Sequence, residues 1–411
     1  LLLMVVRCFK QESILYKGGG NHPGVPTKSS ALKYCLMSTR NCPPFRAEHV
    51  GSLIRPPELL DARYPGDSKP PSVEVLREIE DRHIKSVIRV QEEIGLQSIT
   101  DGEFRRESWR LGLVSKVEGF VRADAVGDVD YQQNRDGDRR RIGNAPIATA
   151  KVRRVGPIVA DEVAFTLRHT KGTAKVTIPS PSYLHYLRGA ACVDSDVYPD
   201  LDKFFEDVVR LYREEVEALC DTGCCYLQID EVVQALLCDE PLREVLRGRG
   251  DDPDVLCSLY IDLINRIIRD RPDDLCVALH MCRGNAMGGW MGSGSYERIA
   301  EKVFNTLGVD AFFLEYDSER AGGFEPLRFM PKDKMVVLGL ISTKTPVLEP
   351  QSALFRQIEA AASFIPLEQL CLSPQCGFAS ADLGTTLTEA DQVAKLGLVI
   401  DTATQVWGGP A

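Results

Sequence analysis

The sequence lacks long hydrophobic runs. The longest run near its start covers only Leu1–Val6, whereas a helix that spans a bilayer needs about 18 or more apolar residues. It also lacks an excess of positive charge, because 49 Lys and Arg residues stand against 59 Asp and Glu and the net charge is −10. Such a charge would repel a phosphate backbone or an anionic membrane surface. We therefore expect neither nucleic acid nor a membrane as a partner.

The sequence also lacks the signs of a disulfide framework. Its 13 cysteines are an odd number, and no convincing signal peptide accompanies them, so we expect a reducing, cytoplasmic compartment. With 44% hydrophobic and 26% charged residues, the composition is typical of a soluble globular protein with a sizeable core. Residues 1–42 are basic, poor in acidic residues and little periodic, and we expect them to form a leader or a disordered extension.

From Arg46 onward, short apolar runs alternate with amphipathic stretches, which favours βα units and a parallel sheet. Val73–Ile94 and Leu201–Leu219 have the apolar spacing of helices. Eight runs are predicted as strands: Arg46–Leu53, Gln97–Thr100, Ala174–Ile178, Tyr226–Ile229, Cys276–Leu279, Ala311–Leu314, Met335–Leu340 and Gln369–Leu372. This pattern predicts an α/β protein with a parallel, eight-stranded (β/α)8 (TIM) barrel as one catalytic domain over residues 43–411. An insertion is expected at about 110–168, after the second strand.

Ionisable or metal-binding side chains follow five of these eight predicted strands. They belong to the segments Asp101-Gly102-Glu103, Asp230-Glu231, His280-Met281-Cys282, Glu315 and Ser373-Pro374-Gln375-Cys376. The active site of a (β/α)8 barrel is built at the C-terminal ends of its strands. We therefore expect these groups to converge on one rim.

His280 and Cys282 are two residues apart, so on an extended strand their side chains point to the same side. The pair alone is a weak signal, but Glu315 and Cys376 extend it to one nitrogen, one oxygen and two sulfur ligands. This mixture favours tetrahedral zinc, whereas calcium and magnesium prefer oxygen ligands only. The sequence therefore predicts a zinc site.

The charge of that ligand set indicates its chemistry. Two thiolates and a carboxylate outweigh the charge of the ion, which makes the site a poor generator of hydroxide. A substrate thiol can still lose its proton on binding zinc, and Glu315 is the ligand most able to move aside for it. Glu103 and Asp230 could bind a substrate ammonium group, or they could be solvated loop acids or helix caps.

Six motifs carry a resemblance to a known family. They are Glu48-His49-Val50-Gly51-Ser52, Asp101-Gly102-Glu103-Phe104, Leu227-Gln228-Ile229-Asp230-Glu231, Leu279-His280-Met281-Cys282, Leu314-Glu315 and Pro374-Gln375-Cys376-Gly377. From about Pro43 to Gly409 the sequence resembles the catalytic C-terminal barrel of cobalamin-independent methionine synthase, and still more its shorter single-barrel relatives.

This resemblance implies that His280, Cys282, Glu315 and Cys376 bind a catalytic zinc ion. It implies that Ser52, Glu103 and Asp230 contact the amino acid portion of homocysteine, with Asp230 counted in the catalytic set. The implied reaction is methyl transfer from a folate, methyltetrahydrofolate, to the homocysteine thiol to give methionine.

Two departures from the family concern the methyl donor. The full synthase has an additional N-terminal barrel, which the roughly 45 residues before the first predicted strand could not replace. The synthase also has a histidine in the loop after the seventh strand, where this chain has Leu340–Pro346 without one. The donor and the proton donor therefore stay open.

Three alternatives remain. One is another zinc-dependent thiol alkyltransferase, resembling the epoxyalkane to coenzyme M transferases, with the same metal site and a different electrophile. A second is a non-catalytic zinc-binding barrel. A third is decarboxylation, as in the porphyrinogen decarboxylase relatives of the fold, but that reaction needs no metal and His280 with two cysteines argues against it.

Overall fold

The computed structural model describes residues 40–122, 131–133, 139–141, 145–285, 287–382 and 384–408. Residues 1–39 of the predicted leader lie outside this range. The strands are Ser98–Ile99 (β1), Val117–Arg122 (β2), Tyr131–Gln133 (β3), Arg139–Arg141 (β4), Pro146–Arg154 (β5), Thr173–Ala174 (β6), Val176–Pro179 (β7), Tyr226–Asp230 (β8), Cys276–Met281 (β9), Ala311–Glu315 (β10), Met335–Ile341 (β11) and Leu370–Pro374 (β12).

The α-helices are Pro57–Arg63 (α1), Val73–Ile94 (α2), Leu111–Val114 (α3), Ala160–His169 (α4), Tyr183–Tyr186 (α5), Leu201–Asp221 (α6), Val232–Leu236 (α7), Glu240–Gly248 (α8), Pro253–Ile268 (α9), Glu297–Thr306 (α10), Gln351–Ala361 (α11) and Glu389–Trp407 (α12). Short 3-10 helices cover Gly189–Cys192, Glu319–Ala321, Glu325–Phe329 and Leu367–Gln369. No helix in the described ranges is both long and apolar enough to cross a membrane.

Strands β7 to β12 form one parallel sheet in which chain order equals spatial order. Parallel neighbours need a crossover connection. In this sheet α-helices form the connections, except between β10 and β11, which are connected through the 3-10 helices Glu319–Ala321 and Glu325–Phe329. Strands β8 and β10 to β12 are buried along their whole length, as expected of a parallel sheet covered on both faces. The prediction of an α/β fold with a parallel sheet is confirmed.

The first two predicted strands are shorter than expected. The segment 46–53 makes one parallel bridge, between Ala47 and Leu372 of β12. Beyond Glu48, whose backbone N–H donates to Leu372, the segment is not in a strand. Gly51 takes a φ of +146°, and its carbonyl accepts a hydrogen bond from the Thr100 hydroxyl at 2.7 Å. The second run is reduced to β1, which pairs in parallel with β6. Only Lys175 separates β6 from β7.

Helix α2 shows why the amphipathic signal was reliable. Its bounds are those predicted, since the Ser72 side chain accepts from the backbone N–H of Val75 at its start and Gly95 ends it in the left-handed conformation. Its buried face includes Ile84 and Ile88. Helix α6 extends two residues beyond the predicted Leu219, to Asp221.

The range predicted as an insertion, 110–168, contains antiparallel pairs rather than parallel ones. Strand β2 pairs with β5, and β3 pairs with β4. The range also takes in most of helix α4.

Candidate metal and substrate site

The ends of β9 and β12 bring three predicted ligands together. The potential ligand atoms of His280, Cys282 and Cys376 all lie within 4.8 Å of one another, and the two sulfur atoms are 3.8 Å apart. All three side chains are buried. Strand alternation points His280 and Cys282 to the same side, and Cys376 reaches them from the loop after β12.

The chemistry of this cluster fits a bound metal. Both ring nitrogens of His280 are buried and have no nitrogen or oxygen hydrogen-bond partner among the described residues; the Cys282 thiol is their polar neighbour. This is a costly arrangement for an imidazole in a protein interior. The neighbouring Cys376 thiol and burial raise the pKa of Cys282 well above its usual value. A cation would relieve both costs, since metals bind the neutral imidazole and the thiolate. One nitrogen and two sulfur donors match zinc.

Glu315 ends β10 and is fully buried, but it lies outside the group of three within the described part of the chain. One carboxylate oxygen accepts from the backbone N–H of Arg283 at 2.6 Å. The other forms an ion pair with Arg320 and lies 3.7 Å from the Lys344 ammonium. Burial alone would raise the pKa of Glu315, but Lys344, Arg283 and Arg320 lower it to about 2. The carboxylate is therefore ionised, and its role as fourth ligand stays a prediction.

Asp230 ends β8 in register with His280 on β9. Its Oδ1 accepts a hydrogen bond from Gln228 Nε2 at 2.7 Å. Burial raises the pKa of Asp230 to about 6, with a further increase from the charge of Glu103 and an opposing effect of His280. Asp230 therefore lies next to His280 across the pair of strands β8 and β9, and its pKa responds to the charge of Glu103.

Glu103 sits in a tight turn after β1, where its φ of +61° is unusual for a residue other than glycine. Its backbone N–H donates to Asp101 at 2.8 Å, and its Oε1 accepts from the Thr177 hydroxyl at 2.9 Å. Its Oε2 is buried without a hydrogen-bond partner in the described ranges. A ligand that donates N–H bonds, such as an ammonium group, would satisfy this oxygen.

Ser52 joins the same site through the loop that carries Cys376. The backbone N–H of Phe378 donates to the Ser52 carbonyl at 2.9 Å. A Cβ added at Gly377 would lie 1.9 Å from Ser52 Oγ, so only glycine permits this approach. Ser52 is buried and lies beside the residue that follows Cys376.

Sequence reasoning missed the residues that surround the predicted ones. Arg283, Arg320 and Lys344 hold Glu315, while Gln228 and Thr177 hold the two other carboxylates. Gln228 belongs to the motif that contains Asp230, and Lys344 belongs to the loop that lacks the family histidine. The sequence analysis named both segments but assigned no role to either residue. The remaining signal was positional, since Arg283 directly follows Cys282.

The catalytic-domain family of the cobalamin-independent synthases matches residues 66–403, and the chain belongs to this family. It is thus a member of a methyltransferase family, as the motif resemblance predicted. It is 40% identical over 375 residues to the uncharacterized protein YxjH of Bacillus subtilis, a match that covers 89% of this chain and 95% of that protein.

Two further relatives have more descriptive names. The chain is 25% identical over 300 residues to the methionine synthase of Pyrococcus abyssi, covering 72% of this chain and 75% of that protein. The structure of a putative vitamin-B12 independent methionine synthase from Listeria monocytogenes is similar with a TM-score of 0.71 and 33% identity, covering 90% of this chain and all of that one.

Proposed function

We propose that the chain transfers a methyl group from methyltetrahydrofolate to the thiol of homocysteine and so forms methionine, with zinc held by His280, Cys282, Cys376 and Glu315. The observation that carries the proposal is the buried His280, whose two ring nitrogens have no nitrogen or oxygen hydrogen-bond partner in the described ranges and lie beside two thiols 3.8 Å apart. A neighbouring strand end supplies Asp230, a carboxylate suited to an amino acid substrate.

In this proposal the metal ligands and the two carboxylates bind different parts of the substrate. Bound zinc would supply the positive charge that favours a thiolate over a thiol at neutral pH. Asp230 and Glu103 bind the substrate ammonium group and so direct its sulfur toward the cluster. In the net reaction the carbon–sulfur bond forms as the bond between methyl and folate nitrogen breaks, and the thiol proton passes to the departing folate. Burial of the site residues keeps bulk water away from the reacting sulfur.

The proposal includes a closed (β/α)8 barrel. Two contacts of the segment 46–53 support closure. Ala47 forms a parallel bridge with Leu372 of β12, and the backbone N–H of Leu53 donates at 3.1 Å to the carbonyl of Gly102, which follows β1. The proposal also retains one catalytic domain over residues 43–411, an insertion at about 110–168 and a cytoplasmic location.

A second candidate is transfer of a different alkyl group to a thiol. Lys344 favours it, because it occupies the loop after β11 in which the methionine synthases carry a histidine. The buried ammonium of Lys344 lies 3.5 Å from Asp317 and 3.7 Å from Glu315, so the electrophile faces a different charge at this loop. The thiol half of the site is common to both candidates.

The test combines metal content with product formation. Purified protein should contain about one zinc ion per chain and should form methionine from homocysteine and methyltetrahydrofolate. Homocysteine binding should release a proton, measured by calorimetry in buffers of different ionisation enthalpy. Cys376→Ser should lose most of the zinc, whereas Cys220→Ser, at a half-buried thiol of helix α6, should keep it.

Each outcome has a defined meaning. Full zinc occupancy in the Cys376→Ser variant would overturn the ligand assignment. Zinc that remains bound with no proton release at saturating homocysteine would indicate a non-catalytic metal site. Products from epoxides but not from methyltetrahydrofolate would select the second candidate.

A further inference from the structure

Both carboxylates assigned to the substrate ammonium receive a hydrogen bond from a neutral side chain. Gln228 Nε2 donates to Asp230 Oδ1 at 2.7 Å, and Thr177 Oγ1 donates to Glu103 Oε1 at 2.9 Å. An amide and a hydroxyl can each donate or accept. An ionised carboxylate only accepts, so each contact requires that the neutral side chain keeps its donor toward the carboxylate.

A buried cation on the far side of each neutral group favours this donating orientation. Lys175 Nζ lies 3.4 Å from Gln228 Oε1, and Arg106 Nη1 donates to Thr177 Oγ1 at 2.8 Å. Ammonium and guanidinium groups only donate. If the Gln228 amide were rotated, its NH2 group would face the Lys175 ammonium and its carbonyl oxygen would face the Asp230 carboxylate. Both hydrogen bonds would then be lost, because two donors and two acceptors would oppose each other. The neutral groups are thus held in their donating orientation.

The Lys175 cation is itself fixed. Its ammonium is 3.2 Å from Glu48 Oε2, and both side chains are fully buried. Glu48 also accepts from the Ser98 hydroxyl at 2.7 Å and from the Tyr226 hydroxyl at 3.0 Å. The ammonium therefore has an anchor that does not depend on the substrate.

The Arg106 cation is fixed in the same manner. Its Nε pairs with Glu162 at 2.8 Å, and both side chains are buried. The Lys116 ammonium holds the other oxygen of Glu162 at 2.6 Å. Two independent ion pairs therefore lie behind two neighbouring substrate carboxylates.

We propose that Gln228 and Thr177 are positioning residues for substrate specificity, held in the donating orientation by Lys175 and Arg106. Each occupies one oxygen of its carboxylate and so turns the other oxygen toward the substrate ammonium. The buried Glu103 Oε2, which has no partner in the described part of the chain, is the oxygen left for this contact. The inference rests on the proposed function, because it takes Asp230 and Glu103 as the ammonium site.

The test compares two thiols on the zinc-loaded protein. Homocysteine carries the ammonium group, and 4-mercaptobutanoate lacks it. Gln228→Met and Thr177→Val remove the donating groups while keeping both carboxylates and nearly the same side-chain volume. Homocysteine should bind about tenfold more weakly to each variant, whereas binding of 4-mercaptobutanoate should change less than about twofold. Calorimetry gives both dissociation constants, and elemental analysis should show unchanged zinc.

Matched controls separate positioning from loss of a buried polar group. Gln369→Met removes an amide bonded to Pro331 and Lys334 at the opposite end of β12, and Thr402→Val removes a buried hydroxyl of helix α12 that accepts from Gln351. Neither should change the ratio of the two dissociation constants. In an Asp230→Asn background, Gln228→Met should have little further effect, because neighbours that act through one group are not additive.

The outcomes distinguish the inference from the proposed function. If Asp230→Asn and Glu103→Gln produce no loss selective for homocysteine, the ammonium assignment in the proposed function is wrong. If they do produce it but Gln228→Met and Thr177→Val do not, positioning is refuted and the proposed function stands. Equal weakening of both thiols in the latter variants would likewise refute positioning, since it would indicate a general structural role.

Discussion

Lys175 and Glu48 form an ion pair in which neither side chain is exposed, with a nitrogen–oxygen distance of 3.2 Å. In the Lys175→Met variant a buried carboxylate would lose its cation. Breaking a buried pair in this manner costs about 3–5 kcal/mol. Glu48 would keep the hydrogen bonds from Ser98 and Tyr226, so we expect a value near the lower limit, about 3 kcal/mol.

The double variant Glu48→Gln with Lys175→Met provides the internal check. It removes both charges, and such replacements are often close to neutral, so it should recover at least half of the loss. Urea unfolding followed by circular dichroism gives the free energies. Lys203→Met is the control, because its partner Glu206 is exposed and the midpoint should not move. A loss below about 1 kcal/mol in the single variant, or a double variant less stable than the single one, would refute the reasoning.

Three further predictions concern acid stability, close packing and the metal. Burial, with a smaller effect of Lys175, lowers the pKa of His49 from 6.5 to about 3; stability from this group is therefore complete above pH 6.5 and lost as pH falls toward 3. The urea midpoint should therefore fall less steeply between pH 6.5 and pH 3 in the His49→Gln variant. An unchanged dependence of the midpoint on pH would contradict this prediction. Gly377→Ala should cost about 1–3 kcal/mol and reduce zinc retention, because the new Cβ would meet Ser52 Oγ at 1.9 Å. Gly397→Ala, with open space around it, should not destabilise helix α12, and equal losses in both variants would refute the packing argument. Removing zinc with a chelator should abolish homocysteine binding, and zinc but not magnesium should restore it; restoration by magnesium would argue against the sulfur ligands.

The strand-end residues could be predicted from the sequence because a parallel sheet places all its C-terminal strand ends at one edge. This rule brought His280, Cys282 and Cys376 together without any knowledge of distance. Helix α2 was predictable for a local reason, since its periodicity and both of its end signals lie within the segment itself.

The surroundings of the carboxylates could not be predicted in the same manner. Lys344 reaches Glu315 from the loop after β11, and Arg320 reaches it from the 3-10 helix Glu319–Ala321. Such contacts depend on side-chain rotamers rather than on spacing. The segment 46–53 was overestimated as a strand: it makes one parallel bridge, from Ala47 to Leu372, and Gly51 within it takes a φ of +146°. A hydrophobic pattern indicates which residues are buried, but it does not determine whether their backbone pairs in a sheet.

The bridge from Ala47 to Leu372 also bears on the order of events during folding. The Arg46 guanidinium donates to the carbonyl of Leu370 across 324 residues, so these contacts close a very long loop. Loop closure of this length is entropically costly and slow relative to local contacts. Ser52 and Phe378 meet only when that closure is complete, so a nascent chain can form helix α2 early but must wait for β12 before it has a site. The metal should therefore be acquired late, by a chain that has already folded around the place it will occupy.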